Sequence, residues 1–238
     1  PPQDNDAWPP DVAADLETVR VAVARTDPAF RGRPEVREVE RLYLDAIRAA
    51  RRYIYIENQF VTAPAIADAL AARLGEADGP DVVIVTGLRT DGWLSQRTMD
   101  VIRGRMVDRL RAADRYGRLR VYYPHVPGLG SKCLHVHSKL MIVDDEFVRI
   151  GSANLNNRSM GIDTECDLAV ESEGDPRARR AIARLRERLL AEHLGTTEEA
   201  VARAGAQAPL RAAIDRLRGG GRTLRELPPP PPELVASW

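Results

Sequence analysis

Residues 135–160 read HVHSKLMIVDDEFVRIGSANLNNRSM, and two short apolar runs in this stretch, LMIV and FVRI, are separated by the acidic segment DDE. Apolar runs joined by turn-forming residues predict a β-hairpin. The first predicted strand also carries His137 and Lys139 among residues that belong in a core. Folding alone does not require polar side chains at these two positions. The geometry of the hairpin indicates a functional role for them.

The predicted hairpin gathers several polar side chains at its open end. Side chains two residues apart on a strand share a face, so His137 and Lys139 point the same way. A two-residue turn at residues 145–146 places Lys139 opposite Ser152 and His137 opposite Asn154. An imidazole, an ammonium, a hydroxyl and an amide then line one pocket.

Such a pocket suits an anion. Lys139 offers a positive charge, and Ser152 and Asn154 add neutral donors. Gly151 lets the backbone approach a ligand closely. None of these groups is a carboxylate that would hold a divalent cation, so a phosphate diester is the expected guest and no metal site is predicted. His137 can serve as nucleophile or as proton donor. The alternative is that the histidine and the lysine only edge a strand.

Other polar residues are candidates for the same site. Glu165, at a predicted strand over 166–170, is a candidate to hold the second nitrogen of a histidine. It could equally be a solvated carboxylate. Asn58 and Gln59 follow the predicted strand 53–56, at an end where open α/β sheets place ligands, so they are candidates for the pocket wall.

The rest of the chain alternates strands with helices, and several strands are apolar on both faces. This order predicts an α/β fold, with a largely parallel or mixed sheet flanked by helices. The predicted strands, besides the hairpin, cover 18–24, 53–56, 82–85, 119–123 and 166–170. The predicted helices cover 35–50, 64–74, 95–113, 176–192, 197–204 and 210–217.

Composition divides the chain into four segments. A Pro- and Asp-rich stretch at 1–16 indicates a linker-like arm, and the main α/β unit covers 17–172. C-terminal helices follow at 173–220. A Gly/Pro-rich tail is predicted over 221–238.

Charge and hydropathy exclude some classes of protein. Lys and Arg together number 35, as do Asp and Glu, so no global basic field exists to bind nucleic acid without sequence preference. No run of about 18 apolar residues and no signal peptide are present. We therefore expect a soluble or peripheral membrane protein, in a compartment that the sequence leaves open. Cys133 and Cys166 do not make a disulfide framework or a metal cluster.

The spacing of these residues resembles a known motif. The pattern HxKx4Dx6GSxN over residues 137–154 resembles the HKD motif of the phospholipase D superfamily. The segment YIYIENQF at 53–60 is similar to the C-terminal half of two-motif phospholipases D. The resemblance covers residues 17 to 172. It implies a phospholipase D-like fold and metal-independent phosphodiester chemistry through a phosphohistidine, without a cofactor, on a phospholipid substrate at a membrane surface.

The resemblance also implies roles for individual residues. His137 is expected to be the general acid, and Lys139 and Asn154 to bind the phosphoryl oxygens. Glu165 looks like the acidic residue that orients an active-site histidine. Asp144 completes the motif, although the turn keeps it far from the phosphate and a structural role is expected. The expected substrate-binding residues are Asn58, Gln59, Gly151 and Ser152.

This sequence departs from two-motif relatives because it holds one HKD motif. We expect it to be the C-terminal half of a longer enzyme, which needs a second HKD half from a missing N-terminal segment or from a second chain. One alternative is a single-motif endonuclease or phosphodiesterase that acts as a homodimer, although the net charge makes a nucleic acid partner unfavourable. The other is a noncatalytic phospholipid-binding module.

Overall fold

The computed structural model describes residues 12–90, 96–130 and 132–229. Within these ranges, nine strands form one sheet in the order β2-β1-β8-β7-β6-β3-β4-β5-β9. The strands are β1 Ala22–Asp27, β2 Val36–Arg37, β3 Tyr53–Asn58, β4 Asp81–Val85, β5 Leu119–His125, β6 Lys139–Val143, β7 Phe147–Gly151, β8 Glu165–Glu171 and β9 Thr223–Glu226.

Helices flank both faces of this sheet. They are α1 Glu38–Ala49, α2 Pro64–Leu74, α3 Val101–Ala113, α4 Asn157–Gly161, α5 Pro176–Leu194, α6 Glu198–Gln207 and α7 Leu210–Leu217. A π-helical turn, Gln96–Asp100, precedes α3. The predicted mixed α/β fold is therefore confirmed. Its parallel part is β3–β4–β5, and the other strand pairs are antiparallel.

Strand β3 shows why the centre of the sheet is stable. Ile54 and Ile56 join the core cluster that includes residues of α1 and α2, whereas Tyr53 and Tyr55 join the cluster that includes residues of α5, α6 and α7. Every residue of β3 is buried, as expected for a strand covered by helices on both faces. The polar groups at the end of such a strand are consequently held in fixed positions.

Several boundaries at the N-terminal side differ from the predictions. The strand predicted at 18–24 begins at Ala22, because Thr18 has a positive φ of 54° and pairing with β8 starts at Ala22. The helix predicted from residue 35 begins at Glu38, since residues 36–37 pair with β1 as β2. The predicted helix start at residue 95 lies outside the described residues.

The tail predicted at 221–238 contains part of the sheet. Strand β9 pairs with β5, and Leu224 is fully buried. Residues 1–11 of the arm predicted at 1–16 lie outside the described residues. In the described part of the arm, Asp15 forms an ion pair with Arg188 at 2.7 Å. Three helices, α5 to α7, occupy the segment predicted as helical at 173–220.

Candidate active site

The candidate site lies at one edge of the sheet. Strand β6 begins at Lys139, which pairs with Asn58, the last residue of β3. Because β4 and β5 run parallel to β3, their carboxyl ends lie at this same edge. Ligands bind at the carboxyl ends of strands in open α/β sheets.

His137 precedes the strand on which it was predicted. Strand β6 starts at Lys139, and His137 lies exposed in the segment before it. The Nζ atom of Lys139 donates to the carbonyl of His137 at 2.7 Å and reaches Oε1 of Gln59 at 3.4 Å. The His137 ring stacks on that of His135, with 5.4 Å between the centroids. The imidazole and the ammonium are therefore neighbours, although not through a strand face.

Electrostatics at this pair favour a neutral imidazole at neutral pH. The ammonium of Lys139 holds the pKa of His137 below its ordinary value, and partial burial and His135 add to the effect. Burial lowers the pKa of Lys139 itself, against the opposing carboxylate of Glu165 and with a further lowering by Arg149. A nearby cation and burial both disfavour a charged imidazole.

The hairpin register differs by one residue from the predicted one. Val143 pairs with Phe147, so three residues, 144–146, separate the strands instead of two. Continuing this register places Lys139 opposite Gly151, whereas Ser152 was expected there. The turn has this form because Asp144 and Asp145 both adopt positive φ, at 58° and 59°.

Asp144 has a structural position in the turn. Its carboxylate accepts hydrogen bonds from the backbone N–H groups of residues 51–53 at 2.7, 2.8 and 2.8 Å. These bonds attach the hairpin turn to the start of β3. Lys139 lies at the other end of β6, so Asp144 acts far from any bound phosphate.

We expect Asp144→Ala to lower the free energy of unfolding by about 2–4 kcal/mol, because buried N–H groups lose a charged acceptor. Chemical denaturation followed by circular dichroism measures the loss. Asp144→Asn, which keeps one carboxamide oxygen, should lie between the wild type and the alanine variant. An alanine variant as stable as the wild type would contradict the assigned role.

Ser152 and Glu165 form a pair beside the hairpin. The Ser152 hydroxyl donates to the Glu165 carboxylate and accepts from the backbone N–H of Cys166 at 3.0 Å. In the part of the chain that the structure describes, Glu165 bonds this hydroxyl and no histidine ring. Its charge nonetheless acts on Lys139. The structure therefore places Glu165 in the site without the expected histidine contact.

Asn154 has an unused polar group. Its backbone N–H donates to the Ser159 hydroxyl at 3.0 Å, while its buried side-chain Oδ1 has no hydrogen-bond partner among the described residues. Rotating the amide would place its NH₂ group in the same position. A buried amide end without a partner is unusual in a folded protein. It is available to a ligand.

Asn58 is not on the pocket wall where the sequence placed it, because it is fully buried. Its Oδ1 accepts from the backbone N–H groups of Phe60 and Leu155, both at 3.1 Å, and its Nδ2 reaches the carbonyl of Ala153 at 3.4 Å. Asn58 thus fixes the residues on both sides of Asn154. It also pairs with Lys139, so it sets the relative position of two candidate phosphate ligands.

A buried ion pair between Arg149 and Asp167 supports the site and was not predicted. Nε of Arg149 donates to Asp167 at 2.7 Å, and both side chains are completely buried. The guanidinium also donates to the carbonyls of Lys139 at 2.9 Å and Ala153 at 3.2 Å. It stacks over the ring of Tyr43, 4.5 Å from the centroid. The one signal in the sequence was the position of Arg149 within the apolar run FVRI.

Gly151 is explained by the same ion pair. A Cβ atom added at this glycine would lie 1.9 Å from Oδ1 of Asp167. The close approach that was expected to serve a ligand is therefore taken by Asp167. Glycine is the residue that permits this packing.

We expect Arg149→Met to lower the free energy of unfolding by about 3–5 kcal/mol, because it leaves Asp167 buried without its cation. Urea denaturation measures this change. The control is Arg158→Met, since Arg158 forms an exposed ion pair with Asp163 and should leave the midpoint nearly unchanged. Equal midpoints for the two variants would show that the buried pair does not support the fold.

Comparison with known proteins identifies the family of this chain. A family model described as "Cardiolipin synthase, PLD-like domain" matches residues 43–189. Phospholipase D alpha 1 of Carica papaya is 23% identical over 231 residues, covering 68% of this chain and 28% of that protein. Phospholipase D1 of Homo sapiens is 31% identical over 164 residues, covering 54% of this chain and 15% of that protein.

The fold is also found in a solved structure. Phosphatidylserine synthase of Haemophilus influenzae Rd KW20 matches with a TM-score of 0.55 and 16% identity, over 73% of this chain and 38% of that one. Because the family model spans more than half of the sequence, the chain belongs to the phospholipase D superfamily, and residues 43–189 match its cardiolipin synthase-type PLD-like domain. This superfamily comprises phosphodiesterases and phospholipid-modifying enzymes.

The chain spans less than a third of the length of the two curated relatives. Among the described residues, no helix combines the length and the apolar character needed to cross a bilayer.

Proposed function

We propose that this chain is the half of a phospholipase D-type phosphodiesterase that carries one HKD motif, and that it acts on glycerophospholipids through a phosphohistidine. The main support is the arrangement of Lys139 and Asn154 around Asn58, with His137 beside Lys139. The segments around Asn58 thus carry a cation, a buried amide end without a partner among the described residues and an exposed imidazole.

The proposed reaction has two displacements. A histidine of the second motif attacks phosphorus, and the bond from phosphorus to the headgroup alcohol oxygen breaks. His137 gives its proton to that oxygen, so a neutral alcohol leaves. His137 then takes a proton from water, whose oxygen displaces the enzyme histidine from phosphorus. A second alcohol in place of water gives transphosphatidylation.

Lys139 and Asn154 stabilise the charge that develops on the phosphoryl oxygens in both steps. Such preorganised donors contribute several kcal/mol to a lowered barrier, on the order of 3 or 4 for one well-placed group. Ser152, held by Glu165, shapes the adjacent wall. Gln59 contacts Lys139 and helps to direct its ammonium.

His137 must take up its proton from solvent and be in the protonated form when the substrate is bound. In the free chain the cation of Lys139 disfavours the imidazolium, which a general acid requires. A bound phosphodiester places a negative charge near Lys139 and offsets that cation. Substrate binding therefore raises the pKa of His137, so that the imidazole is protonated in the complex in which it acts as the acid.

The second motif comes from another segment of a longer protein or from a second chain. The curated relatives are much longer than this chain and are named phospholipases D, which favours the first source. The zero net charge disfavours the alternative of a homodimeric endonuclease.

We expect His137→Gln to lower phosphatidylcholine hydrolysis in the presence of chelator by about 10²- to 10⁴-fold, the range for losing a general acid or base. The assay uses vesicles and the longer protein that contains both motifs. His125→Gln is the matched control, because His125 ends β5, which strands β3 and β4 separate from Lys139 on β6. Unchanged hydrolysis in His137→Gln would refute the proposed role.

Two other experimental results would each identify one of the alternative functions. Plasmid cleavage by this chain alone, with a dimeric mass in solution, identifies the single-motif nuclease. Lipid binding without turnover of any phosphodiester identifies the noncatalytic module.

We also expect inorganic phosphate to raise the pKa of His137, because the anion offsets the charge of Lys139. NMR titration of the histidine rings in this chain measures it, and His137→Gln identifies the resonance. In Lys139→Ala the pKa of His137 should already be closer to its ordinary value and should respond little to phosphate. A wild-type pKa that phosphate leaves unchanged would argue against an anion site at Lys139.

A further inference from the structure

A buried carboxylate lies directly beneath the candidate site. Glu57 is only 3% exposed, although it stands in the apolar strand β3 next to Asn58. Its Oε1 accepts from the Tyr55 hydroxyl at 2.5 Å and lies 3.1 Å from Nε2 of His193. Its Oε2 accepts from the Ser138 hydroxyl at 2.8 Å. Glu57 lies within the segment YIYIENQF at 53–60, and the sequence alone assigned it no role.

These contacts favour the ionised form of Glu57. Burial acts to raise its pKa, but the hydrogen bond and charge of His193 and the hydroxyls of Tyr55 and Ser138 outweigh it, so the pKa is lowered. A buried charge is costly unless it is paired and hydrogen-bonded. This carboxylate has both kinds of partner.

The hydrogen bond from Ser138 to Glu57 matters for the site because of where Ser138 stands. Ser138 stands between His137 and Lys139, and its hydroxyl points to the sheet face where Tyr55 and α5 lie. The segment 132–138 belongs to no helix or strand, so the β-ladder does not hold it. The bond to Glu57 attaches this segment to β3.

His193 connects the same carboxylate to the C-terminal helices. It lies in the last turn of α5, and its side chain is 12% exposed. Its other ring nitrogen, Nδ1, is buried and has no hydrogen-bond partner within the described ranges. Glu57 is therefore the hydrogen-bonding contact that orients this ring.

We propose that Glu57 is a positioning residue: paired with His193, it holds Ser138 and so fixes His137 and Lys139 in the geometry that phosphoryl transfer requires. This inference rests on the proposed function and assigns a part in it to α5. Glu57 itself touches no substrate, since it is buried on the side of Ser138 away from the motif side chains.

Loss of the hydrogen bond from Ser138 to Glu57 should lower kcat more than it changes KM. We expect Ser138→Ala and Glu57→Gln to lower kcat about 10- to 100-fold in the longer protein, with KM within about twofold, because misplacing a catalytic group raises the barrier. His193→Gln should lower kcat less, since the bond from Ser138 to Glu57 remains. Ser138→Thr keeps the hydroxyl and should restore most of the rate.

A second readout does not require activity. In this chain, NMR titration should show the pKa of His137 moving up towards its ordinary value in Ser138→Ala and Glu57→Gln, because His137 is no longer held beside Lys139. Glu192→Gln is the matched control, since Glu192 adjoins His193 but pairs with Arg222 at the surface. That variant should change neither kcat nor the pKa of His137.

The two readouts separate failure of this inference from failure of the proposed function. If Ser138→Ala lowers thermal stability but leaves kcat and the pKa of His137 as in the wild type, Glu57 is only structural and the inference is wrong. If the pKa moves as expected but His137→Gln retains full hydrolysis, the positioning stands and the proposed catalytic role fails.

Discussion

Removing a guanidinium from water costs several kcal/mol, and Arg149 is stable inside the sheet because Asp167 and two backbone carbonyls satisfy it. Those carbonyls belong to Lys139 and Ala153, so one side chain joins the start of β6 to the loop after β7. The candidate ligands of a phosphate are thereby held at fixed separation before any substrate binds. The ion pair also requires Gly151, whose missing Cβ leaves room for Asp167.

Preorganisation of this kind suits phosphoryl transfer, in which the protein supplies position and charge rather than new covalent chemistry at most of its groups. His137 does not fit this pattern in the free chain. The ammonium of Lys139 disfavours the protonated imidazole, which is the form that a general acid needs. In the proposed reaction, this ammonium also attracts the phosphodiester, whose negative charge offsets the effect of Lys139 on the imidazole.

The candidate site could be predicted from the sequence because its motif is a pattern of local spacing. The sequence also predicted helix α2 with its observed limits, since Pro64 and the apolar period mark that helix clearly. The hairpin register failed by one residue because Asp144 turns with positive φ to cap another strand. Such a contact joins residues about ninety positions apart, and no local pattern encodes it.

Long-range contacts also decide the environment of several single polar residues, which local patterns do not predict. Asn58 was placed at the pocket because it follows the predicted strand 53–56, but its burial is decided by the loop that packs on it. Arg149 and Asp167 lie on neighbouring strands eighteen residues apart, and either one alone reads as a surface charge. The visible signal for Glu57 was its place in an apolar strand, where an acidic residue needs a partner.

The supports of the site come from opposite faces of the sheet. Arg149 holds the carbonyl of Lys139 from the face covered by α1, where it stacks on Tyr43. Glu57 holds Ser138 from the face covered by α5. Adjacent residues of one segment are therefore fixed from both helical layers, by groups of opposite charge. In the proposed enzyme, a shift of either layer would move His137 relative to the phosphate, and the C-terminal helices would belong to the catalytic unit even though the motif ends well before them.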